Sequence, residues 1–268
     1  MKKLTTMVVH LFLIVASVIS LFPFVWMLMG MTNSSSEILK GKFSFGSMLM
    51  ENIHKLLDMT SLGAAFWNSA IIAIIGTVGT LLLSSMAGYG FEIYHSKSKS
   101  RLFGLLMLSM MMPFAAVMIP LFRMFSGMGL LNTPTAVILP TITTAFMIFF
   151  FLQNTKSFPR ELLQAGRVDG LSEWRLFTRI YMPTMKPTYA AAAIITFMNY
   201  WNSFLWPLIA LQTQDKKTLP LVVSSLASSY NPDYGIIMVA IVITTLPSVL
   251  IFFLLQKQFV QGMLGSVK

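Results

Sequence analysis

The chain has 268 residues, of which 56% are hydrophobic and only 10% charged, too little polar surface to coat a water-soluble globule. Nineteen Lys and Arg against nine Asp and Glu give a formal charge of +10, which in so apolar a chain reads as anchoring charge at a membrane face rather than as a nucleic-acid footprint. The absence of cysteine excludes disulfides, thiolate metal sites and cysteine nucleophiles.

Apolar blocks recur from Met7 to Leu255 with no long polar interval, so the expected fold is all-α, a single polytopic membrane domain over 1–268. A helix needs about 20 apolar residues to cross a hydrocarbon core of about 30 Å. Six stretches reach that length: 8–31, 64–91, 102–122, 134–153, 188–211 and 235–255. The first follows Lys2 and Lys3, and its apolar run continues through Phe22, Phe24, Val25 and Trp26 without a small-residue cleavage site, so it reads as an uncleaved span. A loop over 32–63 of mixed charge follows, with Glu37, Lys40, Lys42, Glu51, Lys55 and Asp58.

The second span carries Gly76, Thr80, Ser84 and Gly88 at four-residue spacing beside Ala87, which predicts a helix face bare enough for close approach by another helix. Pro113, Pro120, Pro140, Pro207 and Pro247 lie in or at the ends of spans, where each removes a backbone donor and is expected to bend its helix. Arg123 falls near one end of the third span, and Gln153 and Asn154 close the fourth at a solvated boundary. The fifth span holds the densest mixture of aromatics and amides: Asn199, Tyr200, Trp201, Asn202, Phe204 and Trp206. Tyr200, Phe204 and Leu208 would share one face of a continuous helix, and Trp201 and Leu205 another.

An even number of spans puts both termini on one side. The side with the termini, 92–101 and 154–187 carries 13 Lys and Arg against 6 on the other, so positive-inside bias predicts both termini and the 154–187 loop in the cytoplasm. Enzymatic constellations are missing: His10, His54 and His95 sit on separate segments at no metal-binding spacing, and Gly41-Lys42 is followed by Phe43 with no upstream glycine, so no P-loop is present. The nine carboxylates lie outside the predicted spans, with Glu92 at a boundary, which disfavours a proton relay and leaves sodium coupling through backbone carbonyls open.

The 154–187 loop contains PRELLQAGRVDGLSEWRLFTRIYMPTMKP from Pro159. It predicts two short helices around a turn: Pro159 at a first helical position, a helix over Arg160–Val168, Gly170 at a positive backbone angle, Ser172 as the next cap, and Pro183 as a stop. Trp174, Phe177 and Tyr181 share a face, which suits a groove in a partner or in the protein's own surface.

This segment resembles the EAA loop of bacterial ABC importer permeases. Pro159, Glu161, Leu162, Ala165, Asp169, Gly170, Phe177, Ile180 and Pro183 match that pattern, while Gln164 stands where the family favours Glu and Gly166 where it favours Ala. LFPFVWML at 21–28, WNSFLWPL at 201–208, TLPLVVSSL at 218–226 and FVQGMLGSVK at 259–268 are similar to phrases of the oligosaccharide and maltose permease type.

The resemblance implies a permease subunit in a bacterial cytoplasmic membrane, importing a sugar by alternating access. It also implies a homologous second permease, two ATPase subunits that use ATP and magnesium, an extracellular solute-binding protein, and no cofactor on this chain. It assigns ATPase coupling to Glu161, Leu162, Ala165, Asp169, Gly170, Trp174 and Phe177. Sugars present apolar faces and hydroxyl edges, so Asn199, Tyr200, Asn202 and Phe204 are the candidate substrate path, with aromatic packing and capped amides the alternative. Arg123 and the 32–63 loop become candidate contacts for the binding protein, with interfacial anchoring and ordinary solvated surface the alternatives. A glycerol-phosphate permease is the nearest competing reading, and an ion-coupled secondary transporter or a membrane scaffold the competitor from another class.

Overall fold

The structure, a computed structural model, describes residues 2–264; positions 265–268, the end of the FVQGMLGSVK phrase, lie outside the described residues. In chain order its helices are α1 (Lys2–Gly30), α2 (Ser35–Leu39), α3 (Leu49–Met59), α4 (Leu62–Ile93), α5 (Lys97–Ser109), α6 (Phe114–Gly127), α7 (Pro134–Ile138), α8 (Ala145–Thr155), α9 (Glu161–Val168), α10 (Glu173–Leu176), α11 (Met182–Thr184), α12 (Lys186–Trp201), α13 (Leu205–Ala210), α14 (Leu219–Ala227) and α15 (Tyr234–Leu264). All the regular structure among the described residues is helical, as the composition predicts.

Three helices are long and apolar enough to cross a membrane as continuous rods, over Thr6–Gly30, Leu62–Ile93 and Tyr234–Lys257. Two more stretches reach spanning length only as bent pairs, α5 with α6 at 98° and Pro134–Thr141 with α8 at 48°. The predicted fifth span is divided: α12 ends at Trp201 after 16 residues, about 24 Å at 1.5 Å per residue, and the short α13 follows a break at 202–204. The six predicted spans therefore correspond to three unbroken helices, two bent pairs and one interrupted segment.

The prolines divide in the same way. Pro113 caps α6 with extended backbone at the 98° bend, and Pro140 lies in the 3₁₀ turn before the 48° bend, where Thr144 restarts the helix by accepting the Met147 amide. Pro120 and Pro247, expected to bend their helices, sit inside α6 and α15 with no break in either.

The chain clusters into two compact units, Met1–Gly63 with Leu219–Pro247 and Ala64–Thr218 with Ser248–Lys268. In the first, fully buried Leu56 of α3 packs against Ile236, Val239 and Ala240 of α15. Buried Asn52 donates to the carbonyls of Met31 and Asn33, each at 3.0 Å, and Ser35 Oγ donates to Asp233 at 2.8 Å. Residues 32–63 are therefore not only a solvated loop: amphipathic α3 buries one face, and only the other carries Glu51, Lys55 and Asp58.

In the second unit the bare face of α4 does what its spacing predicts. Gly76, Thr80, Ser84 and Gly88 are all buried. A Cβ on Gly76 would lie 2.5 Å from the Tyr200 ring, and one on Gly88 would lie 2.8 Å from the Leu152 backbone nitrogen, so α8 and α12 approach α4 along a strip where only small residues fit.

Candidate functional site

The 154–187 segment folds locally as helix, turn, helix. α9 ends where Gly170 adopts φ +75°, a conformation open to glycine without steric cost, and Leu171 closes the turn by donating its amide to the Gly166 carbonyl at 2.9 Å. Ser172 has the extended backbone of a cap, although its side chain makes no capping bond. Pro183 does not stop the second helix. α10 passes without a chain break into a π-helical turn over Phe177–Tyr181, Pro183 falls in the first turn of α11, and α11 leads on to α12.

The aromatic face is split between interior and surface. Tyr181 is 0% exposed and Phe177 4%, and both pack with Tyr89 of α4, Phe158, Leu163, Leu176 and Met185. Trp174 is 61% exposed, its ring 5.9 Å from that of Phe177. Of the groove alternatives, the protein's own core takes Phe177 and Tyr181, and Trp174 stays free. Phe177, expected among the coupling residues, is buried beside the Trp174 ring.

The other predicted coupling residues, Glu161, Leu162, Ala165, Asp169 and Gly170, all lie on the exposed side of this segment. With Leu162 at 42% and Val168 at 89% exposure, Trp174 completes an apolar set presented to the surface by a scaffold whose opposite face is buried.

Charged contacts tie the segment to the end of α4. Glu173 accepts from Arg167 Nε at 2.8 Å and from the Tyr94 hydroxyl, and Arg160 pairs with Glu92. The Arg167 guanidinium, and after it Tyr94, hold the Glu173 carboxyl below its ordinary pKa.

A second feature is a cavity of about 520 Å³ lined by Thr80, Phe114, Thr141, Thr144, Phe146, Met147, Thr196, Asn199, Tyr200 and Ser203. Its polar edge is built from hydroxyls. Thr141 Oγ1 donates to the Tyr200 hydroxyl at 3.2 Å, Thr80 Oγ1 lies 3.3 Å from that same hydroxyl, and buried Thr196 Oγ1 has no hydrogen-bond partner among the described residues. Phe114 and Phe146 supply partly exposed aromatic walls, and among the described residues no titratable group except Tyr200 lines the cavity.

Of the predicted path residues, Asn199 and Tyr200 reach this cavity. Asn202 and Phe204 line an adjoining recess of about 410 Å³ beyond the end of α12, which shares Phe114, Thr141 and Ser203 with the cavity. Asn202 caps that helix and donates to the Met198 carbonyl at 3.0 Å, so its amide nitrogen is engaged within its own helix. The shared face expected for Tyr200, Phe204 and Leu208 is lost, because the helix stops before Phe204. Trp201 and Trp206 are buried structural residues. The first stacks on Phe197 at 5.5 Å, and the second donates its indole N–H to the Ala136 carbonyl at 2.8 Å.

Residues 81–265, which include both the loop and most of the cavity, match the family described as binding-protein-dependent transport system inner membrane component. The chain belongs to that family. It is 52% identical over 267 residues to the lactose transport system permease protein LacG of Rhizobium radiobacter, covering 100% of this chain and 98% of the relative. It is 38% identical to the arabinooligosaccharides transport system permease protein AraQ of Bacillus subtilis, covering 96% and 94%. A bacterial ABC transporter involved in the import of the acidic polysaccharide alginate superimposes with a TM-score of 0.86, covering 96% of this chain and 97% of that one; at 18% identity this likeness speaks for the fold alone.

Two features of this inner membrane component were out of reach of sequence reasoning. Gly166, a departure from the family pattern, lies where a Cβ would meet Leu176 Cδ2 at 2.6 Å and Ile180 Cδ1 at 2.8 Å, so the glycine lets α9 settle closer to the second helix. Thr80, Thr141 and Thr196 share a cavity from positions far apart in the chain. Only the small-residue spacing of α4 hinted at Thr80, and nothing local marked the other two.

Proposed function

We propose that this chain is one permease subunit of an ABC importer that carries a neutral sugar or oligosaccharide across the bacterial cytoplasmic membrane by alternating access. The relatives' names support the substrate class, and the uncharged, hydroxyl-lined and aromatic-walled cavity suits it better than it suits glycerol phosphate, which would call for cationic lining. A homologous second permease, two ATPase subunits and an extracellular solute-binding protein complete the machine. ATP and magnesium act on the ATPases, and this chain binds no cofactor. Both termini and the 154–187 loop face the cytoplasm, as the distribution of Lys and Arg supports.

The observation that carries this reading is the exposed set Leu162, Val168 and Trp174, held on a segment tied to the end of α4 by Arg160–Glu92 and Tyr94–Glu173. Glu161, Leu162, Ala165, Asp169, Gly170 and Trp174 form the contact with the ATPase, and Phe177 backs it. Closure of the ATPases pulls on the loop, and the clamps pass the displacement to α4, whose Thr80 borders the cavity. Asn199 and Tyr200 belong to the substrate path, with Asn202 and Phe204 at its margin.

The test is ATP-driven sugar uptake by the reconstituted complex. Trp174→Asp should leave the two permeases assembled and inserted yet abolish uptake; unchanged ATP-dependent uptake would overturn the proposal. Copurification of an ATPase with the native chain is expected, and solute accumulation by this chain alone in an ion gradient would favour the secondary transporter instead.

A further inference from the structure

A groove of about 190 Å³ opens where the end of α4, the start of α5 and the end of α8 meet, beside the Glu92–Arg160 pair that ties the coupling segment to α4 and sharing no lining residue with the large cavity. Its rim is cationic and hydrogen-bonding: Lys99, Lys156, His95 and Ser100 line it, with the His95 imidazole 3.0 Å from the Ser100 hydroxyl. Its wall is aromatic. Phe91 meets Phe103 edge-on at 5.6 Å, and Phe103 stacks on Phe149 at 6.5 Å, so an apolar track leads from the groove to partly exposed Phe149.

The charges in this groove are unevenly matched. Glu92 is its one carboxylate, and it is already paired with Arg160. Lys99 is held by a carbonyl at Gly90 (3.3 Å) and by the Tyr94 ring (5.2 Å), and neither Lys99 nor Lys156 has a carboxylate partner among the described residues. Two unneutralised ammonium groups above an aromatic track, at the point where a 32-residue apolar helix ends, fit a molecule that is anionic at one end and hydrocarbon at the other.

We infer that this groove binds the headgroup of an anionic phospholipid. The phosphodiester sits between Lys99 and Lys156 with His95 and Ser100 as further partners, and an acyl chain runs along Phe91, Phe103 and Phe149. Free phosphate offers the same anion without the chain, so the aromatic track separates the two sources.

The native chain has no cysteine, so Ser100→Cys in the purified importer complex gives one reporter on this subunit, its labelling by a charged maleimide followed by intact mass. The probes are dioctanoyl phosphatidylglycerol, dioctanoyl phosphatidylcholine and inorganic phosphate. Protection by phosphatidylglycerol alone is expected, and adding Lys99→Gln and Lys156→Gln should weaken it about twenty-five-fold, since each lysine near an anionic lipid contributes about fivefold.

Equal protection by phosphatidylcholine, equal protection by phosphate, no protection at all, or full protection in the double lysine variant each overturns the inference. If the double variant fails to assemble, the comparison of the three probes on Ser100→Cys alone still decides. The lipid site stands apart from the transport reading, because absent sugar uptake with intact lipid protection would sink only the latter.

Discussion

The Arg167 guanidinium lies 2.8 Å from the Glu173 carboxylate across the Asp169-Gly170 turn, so the two short helices of the loop are tied by charge as well as by the chain. Tyr94 donates to the same carboxylate from beyond the end of α4. One side chain thus joins three elements.

Glu173 is a carboxyl whose folded pKa is lowered, first by Arg167 and then by Tyr94. Its contribution is fully present above the unfolded value of about 4.3 and is lost as pH falls through the folded value. Protease susceptibility of the 154–187 loop should therefore stay flat from about pH 8 to pH 5.5 and rise only below about pH 4.3. Glu173→Gln should raise it already at neutral pH and remove the acid step. A native loop that loosens between about pH 7 and pH 6 would contradict this account.

Glu37 behaves in the same direction on another segment. Lys42 donates to it at 2.7 Å and the Ser34 amide at 3.0 Å, and these bonds, the first above all, hold its pKa down to about 2. Titration followed by carboxyl resonances should show Glu37 still ionised at about pH 3, where free glutamates are protonated. Lys42→Met should raise it, while the Ser34 amide and hydroxyl still hold it below the ordinary range.

Gly88 faces the Leu152 backbone nitrogen at a distance that admits no Cβ. Backbone cannot rotate away as a side chain can, so Gly88→Val forces α4 and α8 apart at a cost of about 1–3 kcal/mol. A lower thermal midpoint in detergent is expected. Gly90→Val, with nothing within 4 Å of its would-be Cβ, is the control and should differ by much less.

Trp206 donates to the Ala136 carbonyl in a buried setting. Trp206→Phe keeps an aromatic ring but leaves that carbonyl without this donor, with an expected loss of about 1–3 kcal/mol read from the same thermal midpoint. A midpoint equal to the native one would show that another donor reaches Ala136.

In the cavity, Thr196→Val removes a buried hydroxyl that has no partner in the described chain. Stability should hold or rise slightly, while KM for sugar uptake rises if the hydroxyl serves substrate. Asn199→Ala should raise KM as well, whereas Asn202→Ala should leave KM nearly unchanged, because that amide already serves the Met198 carbonyl. Equal effects from the two asparagines would move the path towards the break after α12.

Composition alone determined that this chain is helical and lives in a membrane, since so few charged residues cannot cover a soluble globule and a bilayer admits helices with internally satisfied backbone. The Gly76-Thr80-Ser84-Gly88 spacing and the Asp169-Gly170 turn were equally legible, because both are local: one depends on which residues share a helix face, the other on a backbone angle that glycine adopts freely. Tertiary structure alone decided that Phe177 turns inward while Trp174 stays out, that α12 stops at Trp201, and that Pro120 leaves its helix unbroken while Pro113 marks a sharp turn. Helical periodicity assigns a side chain to a face, but what that face meets depends on contacts across the chain. Tyr89, Thr80 and Thr141 come to their partners only when distant helices pack.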